Sequence, residues 1–164
     1  MDMSLTKNLI VRRAKRTDLA AIIALLADDA LGTRREQPGP PLHPRYQQAF
    51  DAIDRDPNQF LVVAVAGDRV VGCLQLSLVP GLSRVGMRRG QIESVRVASS
   101  MRGSGLGRRL IDWAIQECRS RGCGLVQLTT DKSRADAIRF YESVGFVSSH
   151  EGLKLQLSDT TLNR

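Results

Sequence analysis

Aromatic residues are scarce in this chain of 164 residues: one Trp, two Tyr and four Phe, or 4% of the total. So few rings cannot build a stacking platform for single-stranded nucleic acid. Cysteine is scarcer still. Cys73, Cys118 and Cys123 are an odd number and form no Cys-x-x-Cys pair. That argues against a disulfide framework and for reduced thiols in a cytoplasmic protein. The two histidines, His43 and His150, lie far from any cysteine pair, so no metal site is expected. No apolar run approaches the ~18 residues of a membrane span. The start, Met-Asp-Met-Ser, lacks the apolar core of a signal peptide.

Cationic charge, by contrast, is plentiful. The 24 Lys and Arg against 17 Asp and Glu leave a net charge of +7. The cations are scattered, with only short Arg pairs, which reads as a solvated basic surface able to attract an anionic cofactor. A basic nucleic-acid-binding module is the weaker reading. With 42% hydrophobic residues, the length suits one domain over residues 1–164, with 158–164 as a frayed tail.

Periodicity sketches the elements. Residues 9–11 read as a first strand. Thr17 can cap a helix with Leu19, Ile22, Ile23 and Leu26 on its core stripe. Four prolines make residues 33–44 a loop, and Tyr46, Phe50 and Ile53 follow at helical spacing. Residues 60–66 and 70–78 read as a hairpin, and 80–90 as a basic loop. Residues 91–97 alternate as a strand, with Gln91, Glu93, Val95 and Val97 on one face and Ser94 and Arg96 on the other. Residues 124–129 read as a short buried strand and 135–144 as a helix ended by Gly145. A final hairpin, 146–149 with 153–157, completes the outline.

The most telling segment is Arg102-Gly-Ser-Gly-Leu-Gly107. It sits between the 91–97 strand and a helix whose stripe is Leu106, Leu110, Ile111, Ala114 and Cys118. A glycine turn at a helix N-terminus offers unpaired N–H groups and a favourable dipole to an anion. The dinucleotide fingerprint needs Gly-x-Gly-x-x-Gly, and the P-loop ends in Gly-Lys-Ser/Thr; neither spacing is present. The pattern Arg102-x-x-Gly105-x-Gly107 instead resembles the pyrophosphate loop of the GNAT superfamily of N-acetyltransferases. A second segment, Ala137-Ile-Arg-Phe-Tyr-Glu-Ser-Val-Gly-Phe146, resembles that family's Ala-x-x-x-Tyr-x-x-x-Gly-Phe signature. The resemblance covers nearly the whole chain. It implies an α/β fold: a single domain with a central mixed, mostly antiparallel sheet flanked by helices, and a splay between the fourth and fifth strands.

The resemblance also implies roles. Acetyl-CoA would be the co-substrate, with no metal, and an amine would attack it directly in a ternary complex. Residues Arg102, Gly103, Ser104, Gly105, Leu106, Gly107 and Arg108 would cradle the pyrophosphate. The backbones of Val95 and Val97 would pair with the pantetheine arm. Tyr141 would protonate the departing thiolate, and Glu93 would be the base, directly or through water. Glu93 in a salt bridge to Arg88 or Arg89 is the competing reading. Arg134 stands where many relatives carry an Asn that contacts the cofactor. The acceptor would be a small-molecule or peptide amine, and Arg34, Arg35, Arg84, Arg88 and Arg89 on two loops would suit an anionic group on it. His43 reads as a loop surface residue. A non-catalytic acyl-CoA sensor is the rival function. The sequence leaves homodimerisation open.

Overall fold

The computed structural model describes residues 9–28 and 32–157; the expected tail at 158–164 lies outside them. The described residues fall into two compact units, one within Met1–Leu128 and one within Thr129–Arg164.

The first unit is built on a five-stranded sheet in the order β1-β2-β3-β4-β5. Its strands are β1 (Leu9–Arg13), β2 (Gln59–Ala66), β3 (Arg69–Val79), β4 (Arg89–Val97) and β5 (Leu125–Leu128). Pairing is antiparallel from β1 to β4, while β5 runs parallel to β4. The mixed, mostly antiparallel sheet is therefore as expected. β2 reads Gln-Phe-Leu-Val-Val-Ala-Val-Ala and is buried on both faces along most of its length. Helices cover it from either side, which is why its apolar run does not alternate.

One face packs under α4 (Leu106–Ser120), whose Leu106, Leu110, Ile111, Ala114 and Cys118 are all buried. Gly90 lets this helix close on β4: a Cβ there would stand 2.2 Å from Cys118 Sγ. The residue expected in a loop is thus a strand position where no side chain fits. On the other face, α1 (Leu19–Ala27) and α2 (Pro44–Arg55) bury Leu19, Ile22, Leu25 and Phe50 against Val63, Val65 and Cys73.

The entry to α1 corrects the expected Thr17 cap. Asp18, 7% exposed, accepts from the Lys15 N–H at 2.7 Å and from Arg12 of β1 at 2.7 and 3.1 Å. A carboxylate brings two oxygens and a negative charge to the backbone N–H and the guanidinium, where a Thr hydroxyl would offer one neutral oxygen. β5 is half-exposed to exposed along its length rather than buried. Between β3 and β4, the one-turn element α3 (Ser83–Gly86) carries Arg84 and Val85 at positive φ.

The second unit holds α5 (Ala135–Ser143). Gly145 ends it, as expected from the sequence, and does so at φ 101. The turn returns Phe146, whose N–H donates to Tyr141 O at 3.1 Å and whose ring meets the Tyr141 ring edge-on at 6.0 Å. The expected hairpin over 146–157 does not form; these residues carry no strand. Alternation specifies a strand only where a partner takes up its backbone. Here Val147, Leu153, Leu155 and Leu157 are instead more than 80% exposed.

Candidate active site

Two features of the first unit lie together at the carboxyl end of β4: an irregularity in the strand and the turn that follows it.

β4 pairs with β5 only from Arg89 with Leu125 to Ile92 with Leu128. Residues 93–97 continue beyond the last β5 partner, which is the expected splay between the fourth and fifth strands. Within them lies a β-bulge. Gln75 pairs with Glu93 and Cys73 with Arg96, so Leu74 faces both Ser94 and Val95. Ser94 absorbs the extra residue at φ 54. The bulge overturns one expectation. Glu93 pairs with Gln75 on the α1/α2 face, whereas Val97 pairs with Gly72, whose missing Cβ points at Leu106 and Leu110 of α4. Glu93 and Val97 do not share a face, because one inserted residue reverses the alternation. Beneath the bulge, Cys73 donates to Ser94 O at 3.6 Å. Burial pushes this thiol up to about 12, so it is no nucleophile at neutral pH.

Past β4, a 3-10 turn (Ser99–Met101) leads into residues 102–105. Gly103 (φ 76) and Gly105 (φ 81) adopt the left-handed conformation, and Gly105 caps α4. Each would find nothing within 4 Å of an added Cβ, so the turn opens onto free space. The N–H groups of the first α4 turn have no carbonyl partners inside the helix and point toward it. Ser104 Oγ donates to Met101 O at 2.6 Å and fixes the turn. The Arg102 guanidinium is engaged with Asp28, donating to its backbone O at 3.0 Å and its carboxylate at 3.3 Å. That side chain fastens the turn to the end of α1. Leu106 is buried, leaving only its backbone on the site side, and Arg108 stands 3.7 Å from Asp112.

Glu93 is exposed and forms no ion pair among the described residues. The competing salt bridge is not made: Arg88 donates to Arg121 O at 3.3 Å instead. His43 is a structural cap, its Nδ1 accepting from the Arg45 N–H at 3.2 Å at the start of α2. Tyr46 organises the loop before α2. Its hydroxyl donates to Glu36 at 2.8 Å and accepts from the Gln37 N–H at 3.0 Å, and burial raises its pKa.

A further set of residues escaped the sequence reading, apart from Gln91. Gln59, Ser77, Gln91 and Gln127 stand in one row across β2, β3, β4 and β5. They come from distant segments, and only strand register aligns them. The sole sequence signal is the presence of an uncharged polar residue in each strand.

In the second unit, Tyr141 lies on α5 between Phe140, 5.2 Å away, and Phe146. Arg134 is the N-cap position of α5, its N–H donating to Asp131 O at 2.9 Å. Lys132 pairs with Glu151 at 2.6 Å. Among the described residues no group of three or more His, Cys, Asp or Glu could hold a metal ion, and no helix is long and apolar enough to cross a membrane.

The model of the Acetyltransferase (GNAT) family matches residues 21–146, running across both units. The chain is 34% identical over 105 residues to the aminoalkylphosphonate N-acetyltransferase of Salmonella typhimurium, covering 64% of this chain and 68% of that protein. It is 37% identical over 89 residues to the glucosamine 6-phosphate N-acetyltransferase of Trypanosoma brucei brucei, covering 54% of this chain and 58% of that protein. Among solved structures, a transcriptional regulator from Bacillus halodurans superposes with a TM-score of 0.89 at 47% identity, over 92% of this chain and all of that one.

Proposed function

Since the chain belongs to the GNAT acetyltransferase family and is an acyltransferase, we propose that it moves an acetyl group from acetyl-CoA to a primary amine by direct attack. The observation that carries this reading is the succession of an unpaired β4 end, a left-handed Gly103–Gly105 turn and the N-terminus of α4. The open space over both glycines fits a pyrophosphate held by backbone N–H groups.

Each residue then has a task. Backbone groups of residues 102–108 bind the pyrophosphate, with the Arg102 side chain holding the turn in place through Asp28. The main chain at Val95 and Val97 pairs with the pantetheine arm as an added strand would. Glu93, directly or through a water, takes the proton from the acceptor ammonium, and the free amine attacks the thioester carbonyl. Tyr141 delivers a proton to the departing sulfur. The attacking nitrogen exchanges one N–H bond for the amide N–C bond, the released proton restores Tyr141, and the thioester C–S bond breaks to leave the thiol. Arg134 is assigned a cofactor contact at the start of α5. The cations at Arg34, Arg35, Arg84, Arg88 and Arg89 favour an acceptor with an anionic group, in keeping with the phosphonate and sugar phosphate named for the two relatives.

The test is thiol release from acetyl-CoA over a panel of amines, with the products weighed by mass spectrometry. Amine-dependent release with one acetyl group gained per acceptor is expected. Binding of acetyl-CoA with no release for any amine would make the chain a sensor. Salt-sensitive binding to duplex DNA without either would favour the nucleic-acid reading.

A further inference from the structure

The α1/α2 side of the sheet is covered unevenly. Over β2 and the Cys73 position of β3, the helices bury an apolar cluster. Farther along the same face the sheet presents a different surface. The row Gln59–Ser77–Gln91–Gln127 crosses four strands, and the adjacent row is Leu61–Gln75–Glu93. Gln59, Gln75, Ser77, Gln91 and Gln127 are all half-buried, and Glu93 alone is exposed.

These groups are clasped to one another. Ser77 Oγ donates to Gln59 Oε1 at 2.7 Å and Gln75 Nε2 to the same oxygen at 3.3 Å. Gln127 Nε2 donates to Gln91 Oε1 at 2.8 Å. A solvated sheet face ordinarily carries long charged side chains that move freely. Here neutral amides and one hydroxyl hydrogen-bond to one another instead. Each amide has two donors and two lone pairs, and the mutual bonds use only part of that capacity. With strands ~4.8 Å apart, the row is about 14 Å long. Gln91 and Glu93, two residues apart on one strand, are separated by about 7 Å. That is the scale of a small ring bearing several hydroxyls beside an amine.

Resting on the acetyltransferase reading above, the geometry points to this amide row as an acceptor floor that reads hydroxyl groups, so that the substrate is a hydroxylated amine. Neutral donors and acceptors match hydroxyls, which both give and take hydrogen bonds. They offer an alkyl amine nothing, and leave its binding to charge alone. A site built to bond a hydroxyl discriminates strongly against the analogue lacking it, because its own polar groups are then left unpaired.

The experiment compares two anionic amines, glucosamine 6-phosphate with hydroxyls and 2-aminoethylphosphonate without, plus a peptide with a free N-terminus. Gln91→Leu and, separately, Ser77→Ala are measured beside the parent, with melting temperature and KM for acetyl-CoA as controls. The parent is expected to prefer glucosamine 6-phosphate in kcat/KM by at least about tenfold, the worth of one well-made hydrogen bond. Each substitution should cut that preference by about tenfold, leaving 2-aminoethylphosphonate turnover and KM for acetyl-CoA unchanged. Equal losses on both acceptors, no loss on either, or turnover of the peptide alone would overturn the assignment. Absence of transfer to any amine would instead remove the acetyltransferase reading on which it rests. Ser77→Ala removes one hydroxyl without adding bulk, so the comparison stands even where Gln91→Leu fails to fold.

Discussion

Glu93 and Val97 face opposite sides of the same strand, although four residues of regular β-structure would put them on one side. Gln75 and Gly72, their respective partners, differ by an odd number of positions, and the bulge at Ser94 makes up the difference. The carboxylate is thereby turned to the α1/α2 face, while the strand end beyond β5 keeps its main chain for the thioester side of the proposed reaction.

Ser94 holds this arrangement at φ 54, a conformation that costs a non-glycine residue roughly 1–2 kcal/mol. Ser94→Gly is expected to stabilise the fold by about 1 kcal/mol, and Ser94→Val to destabilise it by at least as much, because a β-branched side chain tolerates this region least. Denaturant unfolding reads both. A stable Ser94→Val protein would mean that the bulge is not built as described.

Tyr141→Phe is expected to lower kcat by about 10²-fold with little change in acetyl-CoA affinity, as befits loss of a general acid. The ring keeps its contacts with Phe140 and Phe146, so its packing is preserved. Equal kcat in variant and parent would leave Tyr141 with packing alone.

Glu93→Gln should reduce kcat/KM most at low pH, where the acceptor is mostly ammonium and a base is needed. The deficit should shrink as pH rises toward the amine's own pKa. A variant profile parallel to the parent's would remove Glu93 as base; a uniform loss would make it a positioning residue.

The Arg12–Asp18 pair makes a prediction about stability. The hydrogen bonds from Arg12 hold the Asp18 carboxyl below its usual range. A carboxyl with a depressed folded pKa stabilises the fold above its unfolded value of ~3.9, and that contribution is lost as pH falls through the folded pKa. Asp18→Ala, which removes the carboxylate that the Lys15 N–H and half-buried Arg12 share, should therefore cost about 2 kcal/mol at pH 7. The gap between parent and variant should narrow below about pH 4. A gap that stays constant from pH 7 to pH 3 would contradict the pairing.

How much of this could be read beforehand depended on how local each signal is. The Gly103–Gly107 turn and the α4 stripe from Leu106 to Cys118 are written in consecutive residues, and both stand where the spacing predicts. Gly145 ends α5 for the same reason. Ser94 carries no such mark: the bulge follows from which β3 residues β4 pairs with, and Ser is not a residue that favours positive φ. Asp18 over Thr17 is decided by Arg12, a strand away. The row from Gln59 to Gln127 depends on the register of four strands at once. Residues 146–157 show the opposite error, since Leu153, Leu155 and Leu157 alternate like a strand yet gain no ladder and stay exposed.

The claim on which the account turns is that the glycine turn before α4 holds acetyl-CoA, and calorimetric titration with melting curves tests it most directly on the parent and on Gly105→Glu. A Cβ at Gly105 has no atom outside its chain neighbours within 4 Å, so the main cost to the variant is the left-handed backbone and it should still fold, if somewhat less stably. Its carboxylate would enter the space assigned to the pyrophosphate. The parent should gain roughly 2.7 kcal/mol of stability at a hundredfold excess of acetyl-CoA over its Kd, with no gain from NADH, and the folded variant should gain none. Undiminished acetyl-CoA affinity in Gly105→Glu, or stabilisation of the parent by NADH but not by acetyl-CoA, would contradict it.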